Sequence, residues 1–391
     1  MNSSMMTPQP QPVEVMEKNK KPVIGLPASG AANERRFPLT PEAVAILVDH
    51  GYKVRIEENA GASIRYTDTQ YIKAGAEITC RKDAFEGDIV IYIPEITPAE
   101  VKMMKRGAIL MSLFHAGDNC RVILNELLRR NIIYLAIDLI SDSRGNTPFA
   151  DILAETDGRA IIALGASMLM DADFGKGILL GGVSGIVPCE VTIIGSGIAA
   201  CAAASSAIGL GATVRMFDND IYRLRNARLT IGAALITSAL HPRVLLNALR
   251  TADIVVATPT DHPCAINAGD IDIMKPGVVI MDINSEKFHT FPSLPHVEIT
   301  SGIPRKQNHT GRVCFTSVGN AVPRTAAMAL SNTFVTMFDE MRQCDGIMNC
   351  VKMRRGIQNA TVTFFGKLVN HTAAKKAGMR AIDIHILLNC S

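Results

Sequence analysis

An apolar strand that runs straight into two glycines constrains this chain more than any other feature. Val191-Thr192-Ile193-Ile194 is followed at once by Gly195-Ser196-Gly197-Ile198-Ala199-Ala200. The small residues from Ala202 to Ile208 continue as a helix, and Thr213 to Phe217 reads as a second strand ending at Asp218. Gly195 permits the tight turn out of the strand. Gly197 removes the side chain that would hold a pyrophosphate away from the backbone, and the small Ala200 lets helix and strand pack closely. The unpaired N–H groups at the helix N-terminus then face the phosphates. A carboxylate at the end of the second strand, Asp218, is placed for the adenosine ribose hydroxyls and repels a 2′-phosphate, which favours NAD over NADP. Arg223 and Arg225 follow closely and pull the other way, and Arg223 counts among the candidate cofactor residues. A glycine turn without a ligand is the competing reading. The agreement of strand, glycines, helix, second strand and terminal acid favours a dinucleotide site.

The rest of the chain alternates in the same manner. Val23 to Leu26 predicts a strand, and Thr40-Pro41-Glu42 opens a helix with a cap, a first-turn proline and an acid at the positive helix end. Strands are expected at Val54 to Glu57, Asp88 to Ile93, Ala108 to Phe114 and Ile132 to Ile137, with helices at Pro98 to Lys105 and Cys120 to Arg130. A long helix is expected from Asp157 to about Met170, and a glycine-rich connector from Gly175 to Pro188. A second βαβ series runs from Val191 to about Ile299, and a helix from Val322 to about Met341 returns to the first unit. Such alternation is the mark of α/β architecture with parallel sheets wrapped by helices. The expected fold is two Rossmann-like, doubly wound parallel-sheet domains. A nucleotide domain (157–321) is inserted into a discontinuous catalytic domain (22–156 plus 322–391), behind a polar, proline-bearing tail (1–21).

With 391 residues and 48% hydrophobic content, two buried cores are affordable, and a net charge of +3 offers no case for nucleic acid or a membrane surface. No apolar run reaches the length of a transmembrane helix. The nine cysteines form no CxxC pair and no Cys/His cluster at metal spacing, so no metal is expected. With no secretory segment in view, the expected setting is reducing and cytoplasmic.

Several blocks together resemble the alanine dehydrogenase family, which shares its fold with the NAD-binding subunit of proton-translocating transhydrogenases. These blocks are Glu34-Arg35-Arg36-Phe37-Pro38-Leu39-Thr40-Pro41; Ala60-Gly61-Ala62 with Asp68, Tyr71 and Ala74-Gly75-Ala76; Leu180-Gly181-Gly182-Val183-Ser184-Gly185-Ile186; and Ala321-Val322-Pro323-Arg324-Thr325. The resemblance spans roughly Pro22 to Leu388. It implies NAD as cofactor, reversible oxidative deamination of L-alanine to pyruvate and ammonia in a cleft between domains, and a homo-oligomer, commonly a hexamer.

The resemblance assigns Arg36 to the substrate carboxylate, a role that suits a guanidinium fork. It assigns His115, after the strand Ala108 to Phe114, to general acid/base work. It also marks departures. A family lysine on the substrate carboxylate falls at Pro94, which has neither charge nor donor. A family aspartate beside the nicotinamide falls at Glu286, and the two glycines after it at Phe288 and His289. A family asparagine on the cofactor side falls at Ser317, and Pro27-Ala28-Ser29 lacks the usual lysine and glutamate. Three outcomes therefore stand open: an alanine dehydrogenase, a related NAD-dependent oxidoreductase with another amino or oxo acid, and a non-catalytic NAD(H)-binding paralogue.

Overall fold

The computed structural model describes residues 22–171, 175–262, 264–284, 289–299, 312–344 and 346–389; the expected tail, 1–21, and Glu286 lie outside them. Two sheets organise the chain. The first contains β1 (Val23–Leu26), β2 (Lys53–Glu57), β3 (Glu77–Thr79), β4 (Ile89–Ile91), β5 (Ile109–Ser112) and β6 (Ile133–Ala136), all paired in parallel. Most of these strands are short apolar runs buried on both faces, as parallel strands under helices on each side must be. From β1 the chain first lays β2 and β3 on one side, then β4, β5 and β6 on the other. The strand order thus reverses between β1 and β4, which opens a crevice beyond their carboxyl ends.

The second sheet repeats the plan. It holds β7 (Glu190–Ile194), β8 (Thr213–Phe217), β9 (Leu235–Ser238), β10 (Ile254–Ala257), β11 (Val279–Asp282), β12 (His296–Glu298) and β13 (Cys314–Thr316), in the order β12-β13-β11-β10-β7-β8-β9. All its pairings are parallel. Here the order reverses between β7 and β10, directly above the Gly195 turn.

Two long helices tie the sheets together. The first spans Pro148–Met170, beginning well before the expected Asp157. Proline occupies its first turn, and the backbone N–H and hydroxyl of Thr147 both donate to the Asp151 carboxylate, at 3.1 and 2.8 Å. Its early residues Phe149 and Leu153 are buried in the core of the first sheet, whereas Ile161, Ile162, Met168 and Leu169 are buried in that of the second. One rigid helix therefore serves both cores. The second, Pro323–Gln343, carries Ala326, Leu330, Phe334 and Phe338 back into the first core beside Val44 and Leu47.

The C-terminal residues add what the sequence pattern does not announce. β14 (Thr361–Phe364) and β15 (Lys367–Leu368) form an antiparallel hairpin on the free edge of β6. The otherwise parallel sheet thus ends in an antiparallel margin, closed by pairs such as Tyr134 N–H to Thr363 Oγ1 at 3.1 Å.

Candidate functional site

The Gly195 turn is enforced twice over. Its φ is +105°, outside the range of L side chains, and a Cβ built there would stand 2.2 Å from Thr258 Oγ1. That hydroxyl is fixed by donating to the Ile194 carbonyl oxygen at 3.0 Å. Gly197 is different, because a Cβ there would approach only the Pro259 carbonyl oxygen, at 3.7 Å. The space in front of its backbone is open, as a pyrophosphate requires. Gly197 caps the helix Ile198–Gly209, and Ala200 is fully buried in the core that also contains Val191 and Ile193 of β7.

Asp218 follows β8 immediately and is buried. Its carboxylate accepts from Ser196 Oγ at 2.7 Å, from Thr260 Oγ1 at 3.3 Å and from the Asp220 N–H at 3.1 Å. The acid is thus held against the glycine turn by hydroxyl donors, the chemistry that ribose hydroxyls would offer. Arg223 is paired with other carboxylates. Its guanidinium pairs with Asp261 at 2.7 Å and Asp220 at 3.4 Å, so it is engaged by two carboxylates rather than held ready for a 2′-phosphate. Open backbone at Gly197 and a hydroxyl-accepting carboxylate at Asp218 fit NAD.

On the other sheet, the loop after β1 lies at the first switch point and is clamped from beneath. Ala28 N–H donates to Glu57 Oε2 at 2.8 Å and Gly30 N–H to the Tyr92 hydroxyl at 3.0 Å. Arg81 bridges Glu57 and Glu100 and also donates to the Ala28 carbonyl oxygen. Of the residues that replace the family's charged pair after Pro27, Ala28 is held through its backbone and Ser29 through its hydroxyl, which donates to the Ala31 carbonyl oxygen at 3.0 Å.

Further along this loop, Arg36 Nε donates to Glu34 Oε1 at 2.9 Å and Nη2 to Glu34 Oε2, a bidentate pair in which the carboxylate is nearly buried. The outer Nη1–Nη2 edge of the fork remains for a second carboxylate. His115 lies beyond the carboxyl end of β5, two strands away. Its Nε2 stands 3.0 Å from the Ile93 carbonyl oxygen, which can only accept, so Nε2 carries the hydrogen and Nδ1 the lone pair. Beside it Asp138 accepts from the Phe114 N–H at 2.7 Å, and burial raises this acid above the usual carboxylate range against the opposing pull of that bond. Pro94, between Ile93 and Glu95, is buried.

The two crevices are joined through the late loop. Asn320 accepts from the Arg35 N–H at 2.9 Å, and its side-chain amide donates to the Asn33 carbonyl oxygen. Ser317, three residues earlier, is left-handed at φ 59° and ψ 37°. Asp157, on the helix Pro148–Met170, presents its carboxylate to the backbone of Gly319 and interacts electrostatically with Arg36 and Glu34. Burial pushes its pKa up to about 6, with Arg36 opposing and Glu34 adding to the rise. The sequence pattern singled out neither Asp157 nor Asn320 nor Thr260. Glu34, two residues before Arg36, was the one partner visible in the motif itself.

Comparison with known proteins agrees along most of the chain. Residues 25–156 match the family described as alanine dehydrogenase/PNT, N-terminal domain, and residues 160–371 its C-terminal domain. The chain belongs to the alanine dehydrogenase/PNT family. It is thereby an NAD-dependent dehydrogenase. The alanine dehydrogenase of Geobacillus stearothermophilus is 29% identical over 94% of this chain and 99% of its own length. That of Mycolicibacterium smegmatis is 30% identical over 92% and 98%. A solved L-alanine dehydrogenase superposes with a TM-score of 0.79 at 24% identity, covering 90% of this chain and 98% of that one, and so shares the fold.

Proposed function

We propose that the protein catalyses reversible, NAD-dependent oxidative deamination of an amino acid, with L-alanine and pyruvate as the substrate pair. The observation that carries this reading is the meeting of two switch-point crevices. Arg36 and His115 flank one, Gly197 and Asp218 line the other, and Asn320 fastens them together at Arg35. NAD, when bound, supplies the hydride acceptor for deamination and the donor for the reverse.

The residues of the chain then divide the remaining work. The outer edge of Arg36 holds the substrate carboxylate, while its inner edge is fixed by Glu34. His115, orientated by the Ile93 carbonyl oxygen, takes and returns protons at Nδ1. Asp218 selects the unphosphorylated ribose. The resemblance assigns Ser317 to the cofactor side and Glu286, which lies outside the described residues, to the nicotinamide. A homo-oligomer and a cytoplasmic setting belong to the same reading, and light scattering of the purified chain tests the first.

A second reading is favoured by Pro94. The family lysine is absent there, and Arg81, the cation that the β1 loop does contact, is held between Glu57 and Glu100. A substrate other than alanine follows if no other cation compensates. The deciding experiment follows NADH absorbance with pyruvate and ammonium, then with a panel of 2-oxo acids, while fluorescence reports NADH binding in the same sample. Turnover with pyruvate supports the first reading. Turnover with another oxo acid alone supports the second, and NADH binding without any turnover marks a non-catalytic paralogue.

A further inference from the structure

Asp157 is a carboxylate on the helix that serves both cores. It lies on the helix Pro148–Met170, where it accepts no hydrogen bond from the described residues. Its neighbours place it between the two crevices. Arg36 and Glu34 of the β1 loop act on it electrostatically. Gly319 approaches so closely that a Cβ there would lie 2.4 Å from Asp157 Oδ1, so the late loop has its backbone against this carboxylate. The next residue, Gly158, abuts Ala199 in the first turn of the cofactor helix.

Charge decides what such a place accepts. Arg36 is already balanced by Glu34, so the three groups together carry an excess of negative charge when Asp157 is ionised. An anionic 2-hydroxy acid would add charge of the same sign and bring no cation for it. An α-amino acid brings a carboxylate for the outer edge of Arg36 and an ammonium for the unpartnered acid.

Resting on the reading proposed above, we infer that Asp157 is a specificity-determining residue whose carboxylate holds the α-ammonium of the substrate while Arg36 holds its carboxylate. The cleft thereby selects amino acids over 2-hydroxy acids. Burial supports the assignment, because an acid held near pH 6 gains most from a cationic partner in its own ionised form.

The test uses the full chain and the Asp157→Asn and Asp157→Glu variants, each checked for the parent's near-ultraviolet circular dichroism. Calorimetry measures the Kd of NADH, and then of L-alanine and of L-lactate with NADH bound; steady-state assays give KM for L-alanine and for pyruvate. Expected for Asp157→Asn is a loss of about 30-fold or more in L-alanine Kd and KM, with NADH affinity within about twofold of the parent and lactate binding equal or tighter. Asp157→Glu restores part of the alanine affinity. Unchanged alanine affinity in the asparagine variant overturns the inference while leaving the parent's dehydrogenase activity standing. Weakening of NADH binding by as much as alanine binding also overturns it, and assigns the acid to the nicotinamide instead. A parent that oxidises a 2-hydroxy acid, or that binds NADH yet neither binds nor turns over any amino acid, removes both the proposed function and this inference.

Discussion

Gly158 touches the backbone of Ala199: a Cβ built on it would stand 2.2 Å from the Ala199 carbonyl oxygen. The helix that serves both cores is thus pressed onto the first turn of the cofactor helix at a point where no side chain fits. Glycine to alanine inside a helix ordinarily adds about 0.5–1 kcal/mol of stability. Here the clash is with backbone, which cannot rotate away, and overpacking of this kind costs about 1–3 kcal/mol. Gly158→Ala should therefore lower the unfolding midpoint in a thermal or urea titration, and NADH affinity should fall with it as the helix start is displaced. A variant more stable than the parent would mean that propensity outweighs the contact.

Asp218 is satisfied by the Ser196 and Thr260 hydroxyls and the Asp220 N–H. Asp218→Ala removes the acceptor for the ribose and the charge that repels a 2′-phosphate. NADH affinity should drop by about tenfold or more, the scale of one charge-assisted hydrogen bond, and discrimination against NADPH should narrow. Arg223, engaged by Asp220 and Asp261, should contribute little, so Arg223→Ala should leave the NADH to NADPH ratio nearly as it was. Fluorescence titration with both nucleotides checks the pair. If Asp218→Ala binds both as the parent does, the ribose assignment is lost.

The sequence reveals local features of this fold more readily than distant ones. Val23–Leu26 and Ile89–Ile91 are legible as strands because a strand buried on both faces is apolar throughout, and Gly195 is legible because its turn must be made by its own residue. The hairpin of β14 and β15 is not, because its partner Tyr134 lies 229 residues before Thr363. The helix starts at Pro148, nine residues before the expected Asp157, with a proline in its first turn and Thr147 donating to Asp151. Asp157 could not have been found by pattern. A lone acid in a helix reads as a solvated face, and only the fold brings it to Arg36.

Ser317 adopts φ 59° and ψ 37°, a conformation that costs a non-glycine residue about 1 kcal/mol and that asparagine tolerates better than most. Backbone conformation accounts for an asparagine at this position in the resembling family without any appeal to a ligand. Ser317→Asn and Ser317→Gly should each raise stability in urea by about 0.5–1 kcal/mol. Only the asparagine variant should hold or improve NADH affinity, since it adds donors on the cofactor side. Stabilisation by neither would show that the serine hydroxyl offsets the strain locally.

The stability of the fold should carry the signature of Asp157 in its pH dependence. Burial, opposed by Arg36, lifts this acid from 3.8 to about 6. An acid with a raised pKa binds its proton more tightly in the folded state. Its contribution favours the fold below the unfolded value of 3.8 and is lost as pH rises through about 6. Above that point the ionised carboxylate costs up to about 3 kcal/mol, the shift taken at about 1.4 kcal/mol per pH unit. Asp157→Asn removes the titration while keeping the shape. Its stability gain over the parent should be small near pH 4, grow between pH 4 and 6, and level off at about 1–3 kcal/mol by pH 8. Urea midpoints measured across that range decide the matter. A gain that does not vary with pH, or a variant less stable than the parent at pH 8, would show that the carboxylate is already compensated in the empty cleft and holds no charge in reserve for a substrate ammonium.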